Sequence, residues 1–143
     1  MKPRESVRRE FVRQWLRKAD EDLAAARLLM TERPDLRYAS AFHAQQAAEK
    51  YLKATLVWHQ VEFPKTHDID LLLNLVATAD SALIAGLGGA EELTVYGVEA
   101  RYPGDLPDPT LTQVREAFGL AELVRDAVLA HLPDEFGTER RES

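Results

Sequence analysis

His43, Gln46, Lys50 and Lys53 recur three, four and three residues apart, the spacing that lines side chains along one face of an α-helix. An imidazole, an amide and two ammonium groups on one face supply hydrogen-bond donors and positive charge. That is the chemistry that recognises a phosphate or the edge of a base. Gln45 and Glu49 form a neighbouring row, and Glu49 precedes Lys53 by four residues, the orientation that favours a salt bridge within a helix. The same pattern suits a solvated face, or a bundle interface in which the amides bond backbone and partner helices, so spacing alone leaves the role open.

Other chemistries lack their residues. Cysteine is absent, which excludes disulfides, thiolate zinc sites, iron–sulfur clusters and a cysteine nucleophile. The four histidines, His43, His59, His67 and His131, never stand four apart and no HExxH occurs, so no metal site is expected. Gly86-Leu87-Gly88-Gly89 neither follows a strand pattern nor precedes Lys-Ser or Lys-Thr, and reads as a helix break instead of a phosphate loop. Glu91 and Glu92 are adjacent, hence about 100° apart on a helix, and cannot share one proton. No cofactor is expected.

The elements that must position these residues are helical throughout. Phe11, Trp15, Ala19, Leu23, Ala26 and Met30 recur at three- and four-residue spacing and predict a first helix over about 6–32, ended by Pro34. Asp35 is the expected N-cap of a second, alanine-rich helix running to about His59, with Phe42, Tyr51, Leu52 and Leu56 as its larger core side chains. Thr66 is the expected N-cap of a third, with Asp68 in its first turn and Leu72, Leu75, Val76 and Ala79 as its stripe. A short helix around 91–100 and a proline turn at 102–107 follow. Asp108-Pro109 reads as N-cap and first position of a last helix that ends near His131, before Pro133. Trp15 and Trp58 read as core or interface residues. The fold class is therefore all-α: an up-and-down antiparallel bundle of four to five helices in one domain over 1–133, with a polar tail at 134–143.

Composition agrees with one globular unit. The 143 residues are 45% hydrophobic and 29% charged, enough to bury a core without staples. The net charge of −6 hides an asymmetry. Residues 1–20 hold seven bases and three acids, or +4, which leaves the remainder at −10. A basic first helix on an acidic body can meet an acidic partner, a phosphate backbone or water alone, and the solvated face is the plainest of these. The N-terminus lacks the apolar run of a signal peptide. The most apolar stretch, 71–90, is interrupted by Asn74 and Asp80, so no membrane span and a cytoplasmic location are expected.

Several segments together resemble one family. Trp15…Ala19…Asp22-Leu23…Ala26, the run Phe42-His43-Ala44-Gln45-Gln46-Ala47-Ala48-Glu49-Lys50-Tyr51-Leu52-Lys53-Ala54, then Thr66-His67-Asp68-Ile69…Leu72 and Arg101-Tyr102-Pro103-Gly104-Asp105 are similar to HEPN, the higher eukaryote and prokaryote nucleotide-binding domain. The likeness covers about residues 11–131. It implies a four- or five-helix bundle, usually a homodimer, in one of two roles. Many such proteins stand beside a separately encoded minimal nucleotidyltransferase and bind nucleotide or present substrate to it. For that role His43, Gln46, Lys50 and Lys53 would line the site, with His67 and Arg101 as additions.

Other HEPN proteins are metal-independent ribonucleases, often toxins of toxin–antitoxin pairs, which use an Arg followed four to six residues later by His. The corresponding region here, Arg101 to Asp105, has no histidine before His131, which departs from that pattern. Arg37 does precede His43 with five residues between, so the bare pattern exists at the head of the second helix. Positions six apart on a helix point about 120° away from each other, so Arg37 and His43 would converge only around a groove or across a dimer. A non-catalytic dimeric scaffold is the remaining expectation.

Overall fold

The structure, a computed structural model, describes residues 3–97 and 108–137. Helix α1 spans Pro3–Glu32, α2 Arg37–Trp58, α3 Ile69–Ala79, α4 Ser81–Ala85 and α5 Leu111–His131, with a 3-10 helix at Ala90–Gly97 between α4 and α5. No strand occurs among the described residues.

Helix α2 is the centre of the bundle, packed chiefly on α1 and α5. Its alanines make this possible. Ala41, Ala44, Ala47, Ala48 and Ala54 are all buried, and small side chains let neighbouring backbones approach closely. Cross-helix bonds fix the directions. Arg8 donates to the Trp58 carbonyl, Tyr51 to Asp20, and Ser40 to the Ala26 carbonyl, so α1 and α2 are antiparallel. Arg27 reaches Glu122 while Arg9 pairs with Glu135, so α5 is antiparallel to α1 as well.

The elements expected from the sequence are present, with shifts that have local causes. The buried stripe of α1 is Val12, Leu16, Ala19, Leu23 and Ala26; Phe11 is an exposed neighbour, and Trp15 and Met30 lie at the edge. Phe42 is likewise only half-buried, against Tyr38 and His43. Asp35 does not cap α2. Leu36 holds that position without a side-chain bond, because the Asp35 carboxylate is taken by the Arg33 guanidinium at 3.0 and 2.9 Å. Asp68, not Thr66, caps α3 through the Leu71 N–H, and the Thr66 hydroxyl accepts from the Asp68 N–H one step earlier. Helix α5 begins on a capping box of Thr110 and Gln113, two residues beyond the expected start.

Residues 134–137 form a helical turn that buries Phe136 in the core against Trp58. The expected helix over 91–100 is the 3-10 helix as far as Gly97. Its last residues, Arg101 and the proline turn lie outside the described residues.

Candidate functional site

Because α2 is surrounded by other elements, its polar face does not open to water as a stripe. Ser40, Gln45, Gln46, Glu49, Lys53 and Thr55 are buried, and all but Thr55, whose hydroxyl makes no hydrogen bond, find polar partners within the protein. The four residues expected to share one groove are accordingly divided.

His43 and Lys50 are brought together by a residue of the facing helix. Asp22 on α1 places Oδ1 2.9 Å from His43 Nδ1 and pairs through Oδ2 with Lys50 Nζ. A carboxylate only accepts, so the His43 Nδ1 carries a proton, and Nε2 accepts in the neutral ring or donates in the imidazolium. The side chains of His43, Lys50 and Asp22 are 35%, 21% and 13% exposed. The cluster thus opens to solvent at the imidazole, while its anchoring carboxylate is sheltered. Asp22 sits at the edge of the buried α1 stripe, three residues after Ala19 and four before Ala26. An acid at the margin of an apolar stripe was the available signal for it.

Lys53 belongs to a second, closed cluster. Its ammonium lies 3.1 Å from Glu49 Oε2 and 3.1 Å from the Thr66 carbonyl. The rings of Trp15 and Phe63 face it at 5.4 and 5.8 Å. The i,i+4 salt bridge read from the sequence is therefore formed, but inside the protein. Glu49 Oε1 also receives the exposed His67 through Nδ1 at 2.6 Å. Gln46 donates to Gln45 Oε1 at 2.7 Å, and Gln45 donates to the His67 carbonyl at 2.9 Å. The buried amides are spent on tying the 66–67 loop to α2. Gly97 permits this, since a Cβ there would stand 2.7 Å from Gln45 Nε2.

The arrangement separates the candidate residues by accessibility. His43 and Lys50 remain open to a ligand. Gln46 and Lys53 are committed to internal partners, and His67 reaches the surface on the far side of Glu49. Arg37 is half-buried at the start of α2, and no polar contact joins it to His43. Arg101 lies outside the described residues. Among the described residues no three His, Asp or Glu side chains converge as a metal site requires, and no helix is long and apolar enough to cross a membrane.

The basic first helix is used within the fold. Arg8 and Arg9 lie over the Trp58 ring at 4.3 and 5.1 Å, and Arg13 over Phe136 at 5.7 Å. These arginines therefore hold aromatic side chains in place, where a free solvated face was expected.

Chemically, the open cluster offers an oriented imidazole beside an ammonium. Together they can contact a phosphoryl oxygen, or accept a proton from a bound hydroxyl at Nε2. Comparison with known families places residues 12–132 of the chain within the HEPN domain model. No curated protein and no solved structure matches the chain.

Proposed function

The chain belongs to the HEPN domain family, whose modules are of the nucleotide-binding or ribonuclease type, and from that premise we propose that it is a nucleotide-binding interaction module. Its site is the mouth between α1 and α2, where the His43 imidazolium, donating through Nε2, and the Lys50 ammonium meet the phosphate of a nucleotide. The observation that carries this reading is the division of the Asp22 carboxylate between His43 and Lys50 in a cluster that is held from beneath and open above. Gln46 and Lys53, sealed in the core, leave the expected site, and Asp22 joins it as the positioning residue. The partners of this reading are a second copy of the chain and a separately encoded nucleotidyltransferase that receives or modifies the bound nucleotide.

One observation favours a second reading. A histidine whose Nδ1 proton is fixed by a buried-edge carboxylate is oriented as a general base. A metal-independent ribonuclease would use His43 in that way, with Lys50 beside the scissile phosphate and Arg37 reaching it only from elsewhere on the groove. Binding without cleavage is preferred because no second acid and no arginine lie within bonding distance of His43 in the described residues.

A histidine NMR titration with nucleoside mono- and triphosphates tests the proposal. The His43 ring resonances shift saturably with ligand while those of His131, paired with Asp80 elsewhere on the surface, stay in place. Movement of neither, or of both alike, contradicts it.

A further inference from the structure

The start of α1 and the end of α2 enclose a furrow of about 570 Å³ lined by Arg4, Glu5, Val7, Arg8, Phe11, Val57 and Gln60. It lies 14 residues along α2 from His43, counted to Val57, or roughly 21 Å at the helical rise, and is distinct from the nucleotide cluster. Val7 and Phe11 are four residues apart on α1 and remain 53% and 50% exposed. Two large apolar side chains held side by side in water form a ridge that association would cover. A smaller hollow of about 190 Å³ shares Phe11 with it and reaches Gln14, Trp15 and Lys18.

Gln60 adds a separate observation. It adopts φ 59° as the left-handed residue closing α2, where its N–H bonds the Val57 carbonyl and the Val61 N–H bonds the Leu56 carbonyl. Glycine suits this position best. The chain instead places there an amide side chain that lines the furrow.

We propose that this furrow docks an acidic amphipathic segment of a partner protein, its apolar side chains seated over Val7 and Phe11 and its carboxylates on Arg4 and Lys18. Charge complementarity selects that occupant. The first twenty residues carry +4 on a chain of net −6, and three of their cations border the furrow against one acid, Glu5. A second copy fits poorly, since a two-fold contact presents the same patch twice and sets this cationic rim against itself. A single-stranded nucleic acid needs a run of free aromatic faces. Of the rings near the furrow, Trp15 faces Lys53 and Trp58 is covered by Arg8 and Arg9, which leaves only Phe11.

The test uses the full chain and two labelled helical peptides with the same leucine stripe, one with glutamates and the other with lysines on its polar face. Fluorescence anisotropy is expected to give saturable binding of the glutamate peptide, about tenfold or more tighter than the lysine peptide. Phe11→Ser and, separately, Arg4→Glu each weaken it by about tenfold; both residues are exposed, and circular dichroism confirms that the variants fold. Equal binding of the two peptides, or none, overturns the proposal. So does displacement of the glutamate peptide by a short oligouridylate, which would make the furrow a nucleic-acid track. A concentration-dependent dimer abolished by Phe11→Ser would assign it to a second copy and overturn the proposal too.

Discussion

Asp22 on α1 and His43 on α2, twenty-one residues apart in sequence, meet at 2.9 Å, and the same carboxylate holds Lys50. One acid on the facing helix thus sets the tautomer of the imidazole and the position of the ammonium. The pair also locks the antiparallel register of α1 and α2, together with Ser40 to Ala26 and Tyr51 to Asp20.

Charge at Asp22 should tune anion affinity. Asp22→Asn keeps an acceptor for His43 but removes the negative charge that neutralises Lys50. Phosphate-bearing ligands are then expected to bind several-fold tighter, roughly 1 kcal/mol, while Lys50→Ala weakens them by about tenfold. Calorimetric titration of both variants checks the opposed signs. Weakening by both would assign Asp22 to ligand contact instead.

Lys53 and Glu49 should matter for folding and not for ligand. Glu49→Ala strands a buried ammonium and is expected to cost about 3–5 kcal/mol in urea denaturation. Lys53→Met costs less, because His67 still faces Glu49, and leaves nucleotide affinity unchanged. The double change Glu49→Leu with Lys53→Met recovers most of the loss, since no unpaired charge remains.

Gly97→Ala should destabilise by about 1–3 kcal/mol through overpacking, since the new methyl would lie 2.7 Å from Gln45 Nε2. Thermal unfolding of this variant beside the pair Gly97→Ala with Gln45→Ala checks the cause: truncating Gln45 relieves the clash, so the two losses are less than additive.

Asp80 supplies an acid-sensitive contribution. Burial raises its pKa, but hydrogen bonds from His131 and the Leu83 N–H outweigh that and hold the carboxyl below its ordinary 3.8. A depressed carboxyl stabilises the fold above the unfolded value, and this stability is lost as pH falls through the lower folded one. Urea midpoints followed from neutral into the acid range should drop below about pH 4 in the wild type and drop less in Asp80→Asn.

Much of the fold was legible in the sequence because periodicity and proline breaks report helices locally. The alanine run from 39 to 48 identified α2, although not its central place. That place is what misled the reading of the site. Spacing puts His43, Gln46, Lys50 and Lys53 on one face, but which side chains reach water depends on what covers each end, here Trp15, Phe63 and the 66–67 loop over Lys53. Asp22 came from another helix, and its pairing depends on tertiary register, which spacing along one segment does not encode. Phe136 was hidden for a related reason: a short polar stretch after a proline reads as tail until Trp58 and Arg13 are seen to receive it. The cap of α2 was missed because two donors compete for one acceptor: the Arg33 guanidinium takes the Asp35 carboxylate from the helix N–H groups.

The central claim is that the Asp22-held His43 and Lys50 bind nucleotide without cutting RNA. Its most direct test is a parallel assay of binding and cleavage on chelator-treated protein, using a nucleotide panel and a short RNA with wild type, His43→Ala and Lys50→Ala. The account predicts saturable nucleotide binding that is lost in Lys50→Ala, with the RNA left intact. RNA cleavage that survives the chelator and disappears in His43→Ala would contradict it.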